Sequence, residues 1–232
     1  MFNPQIQFTA DGSHTLYIPE IAEHYHSVNG AIQESLHVYI EAGLNETHRH
    51  IGHIDIHSKK QSINVLEFGF GTGLNAFLTI IEAEKRNLKI NYTSIEKYPL
   101  PASITNQFNY PKEFPEKFQA YFTKIHACEW GNFVEISDNF QIKKIQTDFF
   151  DFKFEDYFDV IFYDAFAPDK QPDVWSQDIF NKIFVHTNPN GILTTYCAKG
   201  NIRRMMQTAG FSVERIPGPL GKREMLRARK LK

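Results

Sequence analysis

From residue 63 onward, short apolar runs alternate with segments of helical periodicity. Ile63-Asn64-Val65-Leu66-Glu67-Phe68 is a compact apolar run that leads straight into glycines, which predicts a buried strand and a tight turn. Residues 74–86 place apolar side chains at 74, 77, 78, 80 and 81, the stripe of a helix packed on a sheet. Strands follow at 90–95, 133–136, 140–146, 158–163 and 191–197. Helices fit 101–108 and 115–127, each with Pro in its first turn, then 176–186 and 201–209, the last ended by Gly210. Residues 211–216 and 222–228 read as a closing hairpin around Pro217-Gly218-Pro219-Leu220-Gly221. This alternation predicts an α/β fold: a mostly parallel, doubly wound sheet with an antiparallel C-terminal hairpin. Ahead of it, residues 1–62 form a small N-terminal extension, with a strand near 15–19, a loop at 25–31 and a helix over 31–42. The main domain then spans 63–232.

Composition narrows the class. With 42% hydrophobic residues, 21 of the 232 being Phe, the chain can fill a sizeable core, and global disorder is excluded. No run approaches the ~18–20 apolar residues of a membrane span, and the start lacks a basic segment followed by an apolar one. Only Cys128 and Cys197 are present, far apart, so a reducing cytoplasm is the expected location. The net charge of -2 hides a split: residues 199–232 carry ten basic and two acidic side chains, and the preceding 198 sum to -10. A positive end on an acidic body suits a polyanion such as nucleic acid, or is simply a solvated terminal strand and tail.

The most informative segment is Glu67-Phe68-Gly69-Phe70-Gly71-Thr72-Gly73-Leu74-Asn75, where three glycines at alternate positions join a strand to a helix. Such a turn lies beyond the carboxyl end of the strand, where open α/β sheets bind ligands. A dinucleotide site uses Gly-x-Gly-x-x-Gly and sets a pyrophosphate on the helix N-terminus. Here the spacing differs, and Glu67 suits a cationic ligand better than a diphosphate. S-adenosylmethionine (SAM), with its sulfonium and ammonium and no phosphate, is favoured over NAD. Glu96, ending the second strand, is placed to accept from ribose hydroxyls, or else caps a turn. Asp148 is placed to meet an adenine edge, or is a turn acid at a strand end. Asn75 and Lys97, beside the turn and beside Glu96, complete the candidate cofactor set with Gly69, Gly71, Gly73 and Asp164.

Asp164 ends the strand Asp159-Val160-Ile161-Phe162-Tyr163 on the same rim, where it can bind an ammonium or take a proton. In the loop that follows, Pro168 and Pro172 restrict the backbone, and Phe166 and Trp175 can stack on a base or belong to the core. His48, His50, His53 and His57 crowd ten positions; no acid or cysteine completes a metal site there, and a solvated helix face is the simpler reading. His24 and His26 lie in the loop before the first helix.

Several strings together carry a resemblance: LEFGFGTGLNAF (66–77), IEKYPL (95–100), FYDAFAPDKQPDVWSQDIF (162–180), NIRRMMQTAGF (201–211) and GKREML (221–226). With Tyr25-His26-Ser27 and Gln33-Glu34-Ser35, they resemble the methyltransferase-domain family of the bacterial tRNA wobble-uridine modification protein MnmC over nearly the whole chain. The resemblance implies a Rossmann-like class I SAM-dependent methyltransferase that N-methylates the 5-aminomethyl group of (2-thio)uridine at the tRNA wobble position. It implies SAM as cofactor, no metal, and tRNA, through its anticodon region, as partner. In fused relatives a flavin-dependent domain follows; this chain stops at Lys232, so the expectation is a stand-alone methyltransferase without FAD. Asp164 is the expected catalytic residue, orienting the amine or accepting its proton. Phe166, Pro168, Trp175, Lys222 and Arg223 are the expected substrate contacts, Lys222 and Arg223 through phosphate. A methyltransferase of a small-molecule amine, and an RNA-binding module that lost catalysis, are the rival readings.

Overall fold

The computed structural model describes residues 4–49 and 62–231. Three short strands, β1 (Gln5–Phe8), β2 (His14–Ile18) and β3 (Glu23–His24), form an antiparallel sheet of their own. Helix α1 (Ala31–Ser35) follows and runs without a break into a π-helix, Leu36–Asn45. The expected α-helix over 31–42 is therefore widened for most of its length, a winding often found at functional sites. Gly43 lets it press on the sheet: a Cβ there would lie 3.1 Å from the Phe162 ring and 3.2 Å from the Thr194 hydroxyl.

The main sheet is built from β4 (Ile63–Phe68), β5 (Ile90–Glu96), β6 (Phe133–Ser137), β7 (Phe140–Gln146), β8 (Phe158–Tyr163), β9 (Thr187–Thr195), β10 (Ser212–Pro217) and β11 (Glu224–Arg229). Their order is β10-β11-β9-β8-β4-β5-β7-β6. The five central strands are parallel, and antiparallel pairs stand at both edges. The alternation read from the sequence and its closing hairpin are thus observed, and the strands read at 133–136 and 140–146 pair across their short turn as a second hairpin, β6 with β7.

The strands alternate their faces, so the sheet divides the core in two. Val65, Tyr92, Val160 and Phe162 face helices α2 (Leu74–Arg86) and α4 (Glu116–Ala127) and the π-helix. Leu66, Phe68, Ile161 and Tyr163 face α5 (Gln177–Val185) and α6 (Gly200–Ala209). Local chemistry sets the ends. Ser176 accepts from the Ile179 amide as N-cap of α5, and Gly210 closes α6 with φ +117°. Only Ala102–Thr105, α3, is helical in the expected 101–108 segment. Just beyond it, Asn109 is drawn to the small sheet, accepting from the His14 amide and donating to the Gly12 carbonyl.

Lys144 is an unexpected buried cation, 1% exposed. Its Nζ donates to the carbonyls of Ile125 and His126, which caps the C-terminus of α4, and lies over the rings of Trp130 and Phe70. Among the described residues, no helix is long and apolar enough to cross a membrane.

Candidate active site

Strand β4 ends where the backbone must leave the sheet, and the glycine turn does this by visiting positive φ at Gly69, Gly71 and Gly73. At Gly69 (φ +95°) a Cβ would stand 2.7 Å from the Asp164 carbonyl oxygen. The end of β8 thus packs directly against the turn, and the Asp164 amide donates to the Phe68 carbonyl. At Gly73 (φ +74°) a Cβ would meet the His126 ring at 2.7 Å. His126 hydrogen-bonds through Nε2 to the Thr72 carbonyl, so the helix capped by Lys144 also braces the turn.

The turn forms one wall of a cleft of about 540 Å³, within the range of small-molecule sites. Gly69, Gly71, Asn75, Glu96, Lys97, Asp148 and Asp164 all line it. The opposite wall comes from the N-terminal segment, including Tyr25, His26 and Glu34, and from Phe166, Tyr196 and Lys222. The extension therefore covers the cleft. Tyr25 contacts the Phe166 ring edge-on at 5.0 Å and closes over Gly71. His26 is buried, hydrogen-bonds to the Thr72 hydroxyl at 2.7 Å, and is pushed down to about 4 by burial, so it is neutral there.

Asp164 sits at the centre. The Tyr39 hydroxyl donates to its Oδ1 at 2.6 Å and the Asn75 amide to its Oδ2 at 2.8 Å. Burial raises its carboxyl to about 7, with these two hydrogen bonds pulling the other way. Tyr39 escaped the sequence reading: nothing in the spacing marks it, because its position depends on the π-helix. Glu96 accepts from the Gly71 amide (2.9 Å) and the Tyr98 amide (2.8 Å), tying the second strand to the turn. Burial raises its carboxyl. Asp148 takes the Lys97 ammonium at 2.7 Å and the Phe150 amide at 3.0 Å, and the Lys97 hydrogen bond holds it below its ordinary value.

Four expectations need correction. Glu67 is fully buried and outside the cleft lining, on the sheet face of α2, where Ser94 across the register donates to it at 2.6 Å. Burial raises it to about 8, so it is uncharged at neutral pH and is not the charge that selects a cation. Asp164, Glu96 and Asp148, by contrast, line the cleft. Trp175 is 3% exposed, its indole N–H donates to the Phe166 carbonyl, and its ring packs on Tyr163, so it belongs to the core and offers no face to a base. Lys222 lines the cleft, paired with Glu34 at 2.6 Å, rather than standing free for phosphate. The basic end is largely spent on pairs: Arg215 with Glu224, Arg227 with Glu214 and Glu46, Arg229 with Glu46, and Lys199 with Asp169. Arg204 and Arg223 remain exposed on the rim. Phe166 and Pro168 are partly buried in the loop after β8, and Phe166 lines the cleft.

Among the described residues, no group of three or more His, Cys, Asp or Glu side chains is placed to hold a metal. Of the clustered histidines, His48 is described, while His50, His53 and His57 lie outside the described residues.

A cationic nucleoside fits these residues. The turn brings bare backbone to the cleft wall, and the carboxyl groups of Glu23, Glu34, Glu96, Asp148 and Asp164 line the cleft. Asn75 joins the two carboxyls behind the turn: its amide donates to Asp164 Oδ2, and its side chain also lies within hydrogen-bonding reach of Glu67.

The family model described as S-adenosyl-L-methionine-dependent methyltransferase matches residues 112–231. The tRNA 5-methylaminomethyl-2-thiouridine biosynthesis bifunctional protein MnmC of Azoarcus sp. (strain BH72) is 27% identical over 246 residues. That match covers 97% of this chain and 35% of the relative, so the chain spans about a third of its length. The crystal structure of MNMC2 from Aquifex aeolicus has TM-score 0.77 at 25% identity, covering 99% of this chain and 70% of that one. Spermidine synthase from Thermotoga maritima shares the fold alone, with TM-score 0.53 at 9% identity over 97% of this chain and 71% of that one.

Proposed function

The chain belongs to the S-adenosyl-L-methionine-dependent methyltransferases, in the family of the MnmC methyltransferase domain, and from that premise we propose that it N-methylates the 5-aminomethyl group of (2-thio)uridine at the tRNA wobble position. The observation that carries the reading is Asp164: a carboxylate raised to about 7, held by Tyr39 and Asn75, on the cleft wall beside the glycine turn. A primary amine is mostly an ammonium at neutral pH, near the ordinary lysine value of about 10.4, and lacks a lone pair until it loses a proton. Asp164 accepts the proton that this ammonium must lose.

SAM supplies an electrophilic methyl group when bound. Gly69 and Gly71 would present backbone to it, Glu96 would accept from its ribose hydroxyls, and Asn75 and Asp164 would receive its ammonium end. Asp148, with Lys97 fixed against it, would meet the base. Tyr25 and Phe166, edge-on to each other at 5.0 Å, give the cleft an apolar wall, and the water they displace would strengthen the charge interactions inside. The substrate brings its own nucleophile, so positioning supplies most of the rate. A tRNA substrate implies a cytoplasmic protein.

The test is mass spectrometry of wobble nucleosides after incubation with SAM and tRNA bearing the aminomethyl group. Conversion to the methylaminomethyl nucleoside is expected. Methylation of a free alkylamine with no change in the tRNA would replace this reading with the small-molecule one.

A further inference from the structure

Lys222 is seated in a socket. Its Nζ donates to Glu34 Oε1 at 2.6 Å and stands 4.0 Å from the centroid of the Tyr196 ring. The Glu34 side chain is 8% exposed, and its other oxygen accepts from the Ser27 amide at 2.7 Å, so it stays in place without Lys222. The Tyr196 hydroxyl donates to the carbonyl of Ala165, the residue after Asp164, which fixes that ring as well. The occupant is the least constrained of the three. Lys222 follows Gly221 in a turn, reaches in on a flexible stem, and is 35% exposed. Glu34, Tyr196, Lys222 and Asp164 line the same cleft.

A carboxylate beside an aromatic face is a receptor for an alkylammonium ion. We propose that the Glu34–Tyr196 socket receives the primary ammonium of the substrate, and that Lys222 fills it in the substrate-free protein as a built-in stand-in which the substrate displaces. This rests on the amine-methyltransferase reading above. Exchange of one primary ammonium for another conserves the charge in the socket, so substrate binding does not leave the buried Glu34 carboxylate unpaired. The socket also adjoins the proton acceptor: Glu34 pushes the Asp164 carboxyl up and Lys222 pulls it down. Selectivity follows. A substrate arm ending in a carboxylate meets Glu34 and Asp164 and is repelled. A neutral arm cannot replace the ion pair. An aminomethyl arm can.

The probe is n-butylammonium chloride, titrated calorimetrically into the full chain against a potassium chloride blank. Lys222→Met keeps the stem and removes the competing charge. Its affinity for the probe should exceed that of the wild type by about tenfold or more, because the occupied fraction of the socket is released. Glu34→Gln in the Lys222→Met background should abolish the gain. Equal affinity in wild type and Lys222→Met, or undiminished binding in the double variant, overturns the proposal. Lys222→Gln serves if Lys222→Met does not fold. Wild-type protein that leaves aminomethyl tRNA unmethylated yet shows this pattern keeps the socket and refutes the tRNA reading. Methylation of tRNA without the pattern refutes the socket alone.

Discussion

Two carboxyls in this core, Asp164 and Glu67, are both raised by burial and have opposite uses. Asp164 lines the cleft and titrates near neutrality, so its ionised fraction grows as pH rises through about 7. A reaction that needs it as a proton acceptor should therefore speed up through that range, and Asp164→Asn should remove the rise. That variant should lose about 10²- to 10⁴-fold in kcat, and calorimetry should show weaker SAM binding, because the amide keeps the Tyr39 hydrogen bond but not the charge that meets the SAM ammonium. Glu67 is sealed under the turn and stays protonated to about 8, against 4.5 for its ordinary value. Between these values the native state holds a proton that the unfolded chain has released, so stability falls as pH rises through the window. Glu67→Gln should flatten that fall. Urea denaturation at about pH 5 and about pH 8 measures it, and an unchanged slope would mean that Glu67 is ionised in the fold.

The turn after β4 is an element in which two strands, one helix and a lysine meet. Gly69 abuts backbone, the Asp164 carbonyl, and has no flexible side chain to displace. Gly69→Ala therefore adds the left-handed penalty of roughly 1–2 kcal/mol and also shifts the end of β8. The expected result is a lower melting temperature together with weaker SAM binding. A stable variant with unchanged SAM affinity would show that the close approach of turn and β8 is not needed. The π-helix acts at the same scale: it carries Tyr39, which reaches Asp164 125 residues along the chain. Its widened winding joins the N-terminal segment to the site.

Across the whole molecule, the carboxyl ends of the parallel strands β4, β5, β8 and β9 open on one rim, with the start of α6 and the turn before β11 beside them. Arg204 and Arg223 stand exposed at that rim, whereas most other cations of the C-terminal segment are paired. For tRNA docking, Arg204→Glu combined with Arg223→Glu should weaken binding and reduce the salt slope by about one for each phosphate that is no longer neutralised. Fluorescence anisotropy at several salt concentrations reads this directly. Unchanged affinity and slope would move the docking surface elsewhere. Lys222→Glu is unsuitable for the purpose, because it sets a second carboxylate against the buried Glu34.

The strand-and-helix alternation, the glycine turn and the position of Asp164 at a strand end were legible in the amino-acid sequence. They depend on periodicity and on local backbone chemistry, which a sequence carries within a few residues. Glu96 and Asp148 were legible for the same reason, since each ends a strand that runs parallel to β4. The environment of each side chain was not. Glu67 reads as a charge beside the turn, but strand parity turns it into the core, where water cannot stabilise its ionised form. Trp175 and Lys222 read as free to meet a substrate, but distant partners, the Phe166 carbonyl and Glu34, had claimed them. The Tyr39–Asp164 bond and the Glu34–Lys222 pair span 125 and 188 residues. Interactions of that reach exist only once the sheet has folded and brought the two ends of the chain to one cleft.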